Sequence, residues 1–250
     1  MNALCVSWFS AGVSSAVATK LAIQDVDKII YLHIDDQHED TLRFVGDCEK
    51  WFGKKIEVVR PKYRNVERAI LAAGGKGYVN GPGGAACTRL LKRRTRQQWE
   101  LDHRDCNLTY VWGLDRTELD RAERIEDGMS NTLHRFPLID ENMDKEDAHQ
   151  LLRASGIKRP AMYDLGYQNN NCVGCVKGGM AYWNQIRIDF PKVFQARAAL
   201  ERRVGHSCIK GVFLDELEPS RGRSKPPIVE ECGIFCELLA IKDELASKES

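Results

Sequence analysis

The chain has 250 residues, with 37 Lys and Arg against 36 Asp and Glu, so its formal net charge is +1. That balance excludes a bulk field drawing the molecule onto nucleic acid or a membrane surface, and no apolar run approaches bilayer-spanning length. A hydrophobic content of 43% supports one large α/β domain, or a domain with a small appendage. Ala16-Val17-Ala18 has the form of a signal-cleavage site, but no Lys or Arg precedes it and Ser10, Gly12, Ser14 and Ser15 interrupt the apolar stretch. A cytoplasmic location is therefore expected. Nine cysteines is a high count, and in a reducing compartment thiols, metal ligands or cluster ligands are expected rather than disulfides.

Leu4 to Phe9 reads as a strand that stops at Ser10-Ala11-Gly12, and Val13, Val17 and Leu21, four apart, begin a helix. Strand, tight turn and helix start together aim bare backbone N–H groups and the positive helix end at one spot, which suits a phosphate. Ser10, Ser14 and Ser15 add hydroxyl donors; the competing reading is that Ser14 only caps a helix. Lys28 to Ile34 is a buried strand ending in the polar cluster Asp35-Asp36-Gln37-His38-Glu39-Asp40, where His38 is a ligand, a base or a solvated loop residue. Thr41 to Phe52 is a helix with Phe44, Val45, Cys48 and Phe52 inward, Cys48 being a core thiol, and Ile56 to Val59 is a third strand. The β-α-β-α-β order predicts a doubly wound parallel sheet.

Gly74 to Gly84 is glycine-rich and reads as a long mobile loop. It feeds a segment with five basic residues and no acid between Ala85 and Trp99. On a regular helix Arg89, Lys92, Arg93 and Arg96 share one face, suited to a multiply charged substrate or simply to solvent. Leu108 to Gly113 is a fourth strand, a helix opens at Asp115, and Thr132 to Ile139 is a fifth strand before a helix from Lys145 to Ala154. Glu118 and Arg121, three apart, form an ordinary helix pair or a site. Cys172-Val173-Gly174-Cys175 lets two thiolates converge on a metal, a cluster or each other. From Lys177 to about Val204 the pattern is helical, broken at Phe190-Pro191, with Trp183, Ile186 and Phe190 as a packing face. Leu217 to Pro227, with Arg221 and Arg223, reads as mobile, and Cys232 and Cys236 follow in Glu231-Cys232-Gly233-Ile234-Phe235-Cys236.

Ser10, Gly12 and Ser15 resemble the pyrophosphate-binding loop of the adenine-nucleotide α-hydrolase-like (PP-loop) superfamily, with Ala11 in place of a usual Gly and Ser14 of a usual Asp. Cys87-Thr88-Arg89-Leu90-Leu91-Lys92, Gly113 with Glu118 and Arg121, the Pro137-Leu138 pair, Tyr163 and Gly166 before the Cys pair, and Glu231 to Ile234 resemble segments of the phosphoadenosine phosphosulfate (PAPS) reductase-like family, in its order. The resemblance implies a Rossmann-like α/β domain of five parallel strands over 1–160, with a Cys-containing, mostly helical region over 161–250. It implies that Ser10, Gly12, Val13, Ser14, Ser15, Arg89, Lys92, Arg93, Gly113, Glu118 and Arg121 hold an adenine nucleotide, with Cys232, Lys92 and Arg121 catalytic. Cys232 stands where such reductases carry the nucleophilic thiol, although Phe235 replaces a usual His. Cys87, Cys172, Cys175, Cys208, Cys232 and Cys236 are the candidate ligands of a [4Fe–4S] cluster or of zinc. The alternatives are an ATP pyrophosphatase that uses Mg to adenylate an acceptor such as a nucleobase, and a non-catalytic nucleotide- or nucleic-acid-binding module with structural zinc. The implied partners are a nucleotide substrate, a thioredoxin-like reductant, a nucleic-acid acceptor under the second reading, and a second copy in a homodimer.

Overall fold

The computed structural model describes residues 2–73, 79–81 and 84–222. Five strands form one all-parallel sheet: β1 (Asn2–Phe9), β2 (Lys28–Leu32), β3 (Ile56–Val59), β6 (Cys106–Val111) and β7 (Leu133–Arg135), in the order β3-β2-β1-β6-β7. A separate two-stranded ladder pairs β4 (Asn80–Gly81) with β5 (Gly84–Ala85). The helices α1 (Val13–Leu21), α2 (Asp40–Phe52), α3 (Val66–Ala72), α4 (Arg94–Asp102), α5 (Leu119–Gly128), α6 (Pro137–Asp140), α7 (Lys145–Ala154), α8 (Ala161–Asp164), α9 (Met180–Asp189) and α10 (Pro191–Val204) complete the described elements.

Alternation along β1 sends successive side chains to opposite faces of the sheet. On one face Phe9, Ile29, Tyr31 and Val111 pack with Val13, Ala16 and Val17 of α1, Phe44, Cys48 and Phe52 of α2, and Ala148 and Leu152 of α7. Phe9 is the hub, its ring meeting Tyr31, Phe44 and Phe52. Burying each such large apolar side chain stabilises the fold by roughly 1.5–3 kcal/mol. On the other face Trp8 meets Trp99 of α4 edge-on at 5.6 Å. Beside that contact the Tyr110 hydroxyl donates to Glu100 Oε1 (2.7 Å), which also accepts from Arg96 (2.6 Å). Helices thus cover both faces, as expected of a doubly wound sheet.

Element by element, the structure differs from the sequence expectations at three places. The fifth strand stops at Arg135 instead of running to Ile139, because Pro137 takes the first position of α6, where its fixed φ and missing N–H suit a helix start. Leu21 is partly exposed although Val13 and Val17 are fully buried, since α1 is covered along its first seven residues and reaches solvent at its end. The basic segment begins as a π-helix, Thr88–Arg93, whose last turn is closed by Arg94 N–H on Arg89 O. Lys92 and Arg96 are buried while Arg89 and Arg93 are exposed, so the four do not present one common face. Of the glycine-rich loop and the segment from Leu217 to Pro227, residues 74–78, 82–83 and 223–227 lie outside the described residues.

By contacts the described residues form two compact units, one within 1–33, 39–60 and 96–164, the other within 34–38, 61–95 and 165–222. The division is interleaved, where the sequence reading drew a single boundary after residue 160. The sheet belongs to the first unit. In the second, Glu201, buried in α10, accepts from the backbone N–H groups of Cys208 and Leu214 and so fixes the loop that follows the helix.

Candidate functional site

Only three residues separate β1 from α1, and Ala11 makes the reversal at φ +60°. A residue with a β-carbon incurs roughly 1 kcal/mol in that left-handed region. Hydrogen bonds hold the turn there, among them Ser10 N–H to Ser15 Oγ (3.1 Å), Gly12 N–H to Ser10 Oγ (3.3 Å) and Val13 N–H to the Tyr163 hydroxyl (3.2 Å). The first intrahelical bond runs from Ala16 N–H to Gly12 O (3.0 Å). N–H groups of a first helical turn have no acceptor within the helix, and those of Ser14 and Ser15 find none among the described residues. They stand at the positive end of the helix dipole. A serine hydroxyl that accepts from the turn still has its own O–H to donate. Deeper in α1, Thr19 Oγ1 donates to Ser15 O and pairs with Ser7 Oγ, both at 2.7 Å, which ties the helix to β1.

The turn lies at the C-terminal end of the central strand, and the chain winds outward from β1 through β2 to one edge and through β6 to the other. In open parallel sheets this switch point is where ligands bind. Gly113, just past β6, is placed against the turn: a β-carbon there would stand 2.6 Å from Ser15 Cα and 2.7 Å from Ser15 N. Its lack of a side chain is thus a packing requirement of the turn. Beyond it, the Asp115 carboxylate accepts from Thr117 N–H (2.9 Å) while Glu118 accepts from Asp115 N–H (3.3 Å), a reciprocal cap that starts the helix. Arg121 forms an ion pair with Glu118. Arg116 is engaged by Asp144 and by the carbonyl of Asn142. Ser10, Gly12, Val13, Ser14, Ser15, Gly113, Glu118 and Arg121 thus all belong to the first unit.

The second unit holds Cys87, Arg89, Lys92, Arg93, Cys172, Cys175 and Cys208. The Cys172–Cys175 turn is braced by the buried Tyr182 hydroxyl, which accepts from Cys175 N–H (2.8 Å) and donates to Cys172 O (3.2 Å). Burial first, and then the neighbouring Cys175 and Cys172, push the Tyr182 phenol far above its ordinary range, so it stays protonated and able to donate. Asp36 anchors the same turn: its carbonyl accepts from Val173 N–H (2.8 Å), and its carboxylate accepts from Val66 N–H (2.7 Å) and from Arg197 (3.2 Å). Burial, and after it the Glu201 carboxylate, raises the Cys208 thiol, which keeps it un-ionised. Cys48 is a buried core thiol in the first unit, raised by burial in the same way.

Among the described residues no three His, Cys, Asp or Glu side chains converge as metal donors. Of the candidate ligands, Cys232 and Cys236 lie outside the described residues. His38 packs edge-on against Phe190 at 5.9 Å. Sequence reasoning missed Tyr163 as a partner of the turn and Asp36 and Tyr182 as supports of the Cys pair. For Asp36 the acidic cluster after β2 was a signal; for the two tyrosines nothing in the spacing names a hydrogen-bond partner. No helix among the described residues is long and apolar enough to cross a membrane.

Comparison with curated proteins finds no match. Comparison with protein families matches the phosphoadenosine phosphosulfate reductase domain over residues 4–179, a span that begins at the strand leading into the turn and ends just after the Cys pair. With that span, the parallel sheet and the turn at its switch point, the chain belongs to the phosphoadenosine phosphosulfate reductase domain family.

Proposed function

We propose that the protein is a sulfonucleotide-reductase-like enzyme that grips the phosphates of an adenylyl-sulfate-type nucleotide on the turn Ser10–Ser15. The observation that supports this most is the turn itself: a strained reversal, held by hydrogen bonds to Ser10, Ser15 and Tyr163, with the N–H groups of Ser14 and Ser15 open at the switch point of a family sheet. Arg121, in the same unit as the turn, is the proposed counter-charge for the remaining phosphate oxygens. In the proposed reaction the Cys232 thiolate attacks the sulfur of the substrate. A bond forms between Cys232 Sγ and that sulfur, and the bond from sulfur to the bridging oxygen breaks. The nucleotide leaves with the electron pair as a phosphate, and Cys232 carries a thiosulfonate. An external dithiol of the thioredoxin type then attacks Cys232 Sγ, sulfite departs, and the dithiol becomes a disulfide after supplying two electrons. Cys87, Cys172, Cys175, Cys208 and Cys236 are the residues that would hold the iron–sulfur cluster the resemblance implies, and no step above is routed through it.

One anaerobic preparation tests this reading. Iron, sulfide and zinc are measured, then sulfite release from PAPS or adenylyl sulfate with a dithiol, and pyrophosphate release from ATP. Sulfite release that disappears in Cys232→Ser supports the proposal. Pyrophosphate without sulfite replaces it with the ATP-cleaving reading, against which Ser14 in place of a loop acid speaks. Zinc with neither product marks a binding module.

A further inference from the structure

We propose that Tyr163 is a positioning residue for the phosphate turn, holding it in its receiving shape before any ligand arrives. The proposal rests on the reading that the turn takes phosphate. Tyr163 is buried on α8, 150 residues along the chain from Val13, whose N–H it accepts at 3.2 Å. Its place is set independently of the turn. Ala161 N–H donates to Asp40 Oδ2 (2.8 Å), and Arg43 donates to the carbonyls of Lys158 and Arg159, both at 3.0 Å, so α2 clamps the start of α8. Arg43 is itself fixed by Asp40 and Asp47. The Tyr163 ring meets His149 edge-on at 4.8 Å, which fixes its direction.

A left-handed alanine persists only where its surroundings over-determine it. The bonds to Ser15 Oγ and Ser10 Oγ stay inside the turn, whereas the Tyr163 bond ties it to α8. By occupying the Val13 donor, Tyr163 also determines which amides face a ligand, namely those of Ser14 and Ser15.

Tyr163→Phe removes the hydroxyl and keeps the ring on His149. Hydrogen exchange of peptides spanning residues 10–16 is expected to accelerate about fivefold or more, with peptides from α2 and α7 unchanged. Calorimetry with inorganic pyrophosphate is expected to show an affinity about five- to tenfold lower. In an Ala11→Gly background, where the left-handed conformation carries no penalty, the loss caused by Tyr163→Phe should shrink to less than about twofold. A merely structural tyrosine would show the same loss in both backgrounds, and that result overturns the proposal, as does unchanged exchange in the turn. Val13→Pro removes the same bond from the donor side. Proline suits the first helical position, and Gly12, at φ −91° and ψ 165°, already has the extended conformation a following proline requires. If Tyr163→Phe fails to fold, Val13→Pro must reproduce the faster exchange or the proposal falls. A wild-type protein that does not bind pyrophosphate would overturn the phosphate reading alone, because exchange is measured without ligand and decides the role of Tyr163 by itself.

Discussion

Gly113 and Gly46 show how differently one residue type acts at two places. A β-carbon at Gly113 collides with the backbone of Ser14 and Ser15, which cannot rotate away, whereas at Gly46, on the exposed side of α2, nothing lies within 4 Å. Gly113→Ala is expected to destabilise the fold by roughly 1–3 kcal/mol and to weaken nucleotide binding, because the clash displaces the first turn of α1. Gly46→Ala is expected to stabilise by about 0.5–1 kcal/mol through helix propensity alone. Urea denaturation of both variants checks the pair. His149 supplies a pH dependence. Burial first, and the charge of Arg159 second, lower it from the ordinary 6.5 to about 4, and burial lowers His134 in the same direction. As pH falls the unfolded chain therefore takes up the proton first. The stability given by neutral His149 is complete above about pH 6.5 and is lost progressively down to about 4. Thermal melts from pH 7 to 4.5 should show this decline, and His149→Phe should flatten part of it; an equally steep decline in the variant would contradict the assignment.

At the scale of elements, the strand–turn–helix at the amino end is legible because its apolar run stops abruptly at small residues and resumes with a helical period. The helices α2, α7, α9 and α10 follow from periodicity and from Pro191 at a helix start. The basic segment was not legible as folded: one π-helical stretch changes which side chains face inward, and periodicity assumes regular geometry. The Cys172–Cys175 turn was legible as a turn, but its brace was not, since Tyr182 reads as one more aromatic in an apolar pattern. Gly178 is the retrospective clue, because a β-carbon there would lie 2.0 Å from the Tyr182 ring. Tyr182→Phe leaves Cys175 N–H without its acceptor and Cys172 O without its donor, and is expected to cost about 1–3 kcal/mol. The thiols should also react faster with an aromatic disulfide reagent as the turn loosens. Unchanged stability and unchanged thiol kinetics would show that the hydroxyl does not brace the turn.

For the whole molecule, the five-stranded parallel order was legible from the alternation of apolar strands with helices, and the family span of residues 4–179 agrees with it. The interleaving of the two units was not legible, because residues 34–38 and 61–95 join the second unit through contacts distant in sequence. The proposed function depends on anion capture where the sheet reverses its winding. A crystal structure with adenylyl sulfate bound tests that most directly. Its phosphate oxygens are predicted to accept from Ser14 N–H and Ser15 N–H, with Val13 N–H still on Tyr163; a phosphate bound elsewhere, with those two amides untouched, would contradict it.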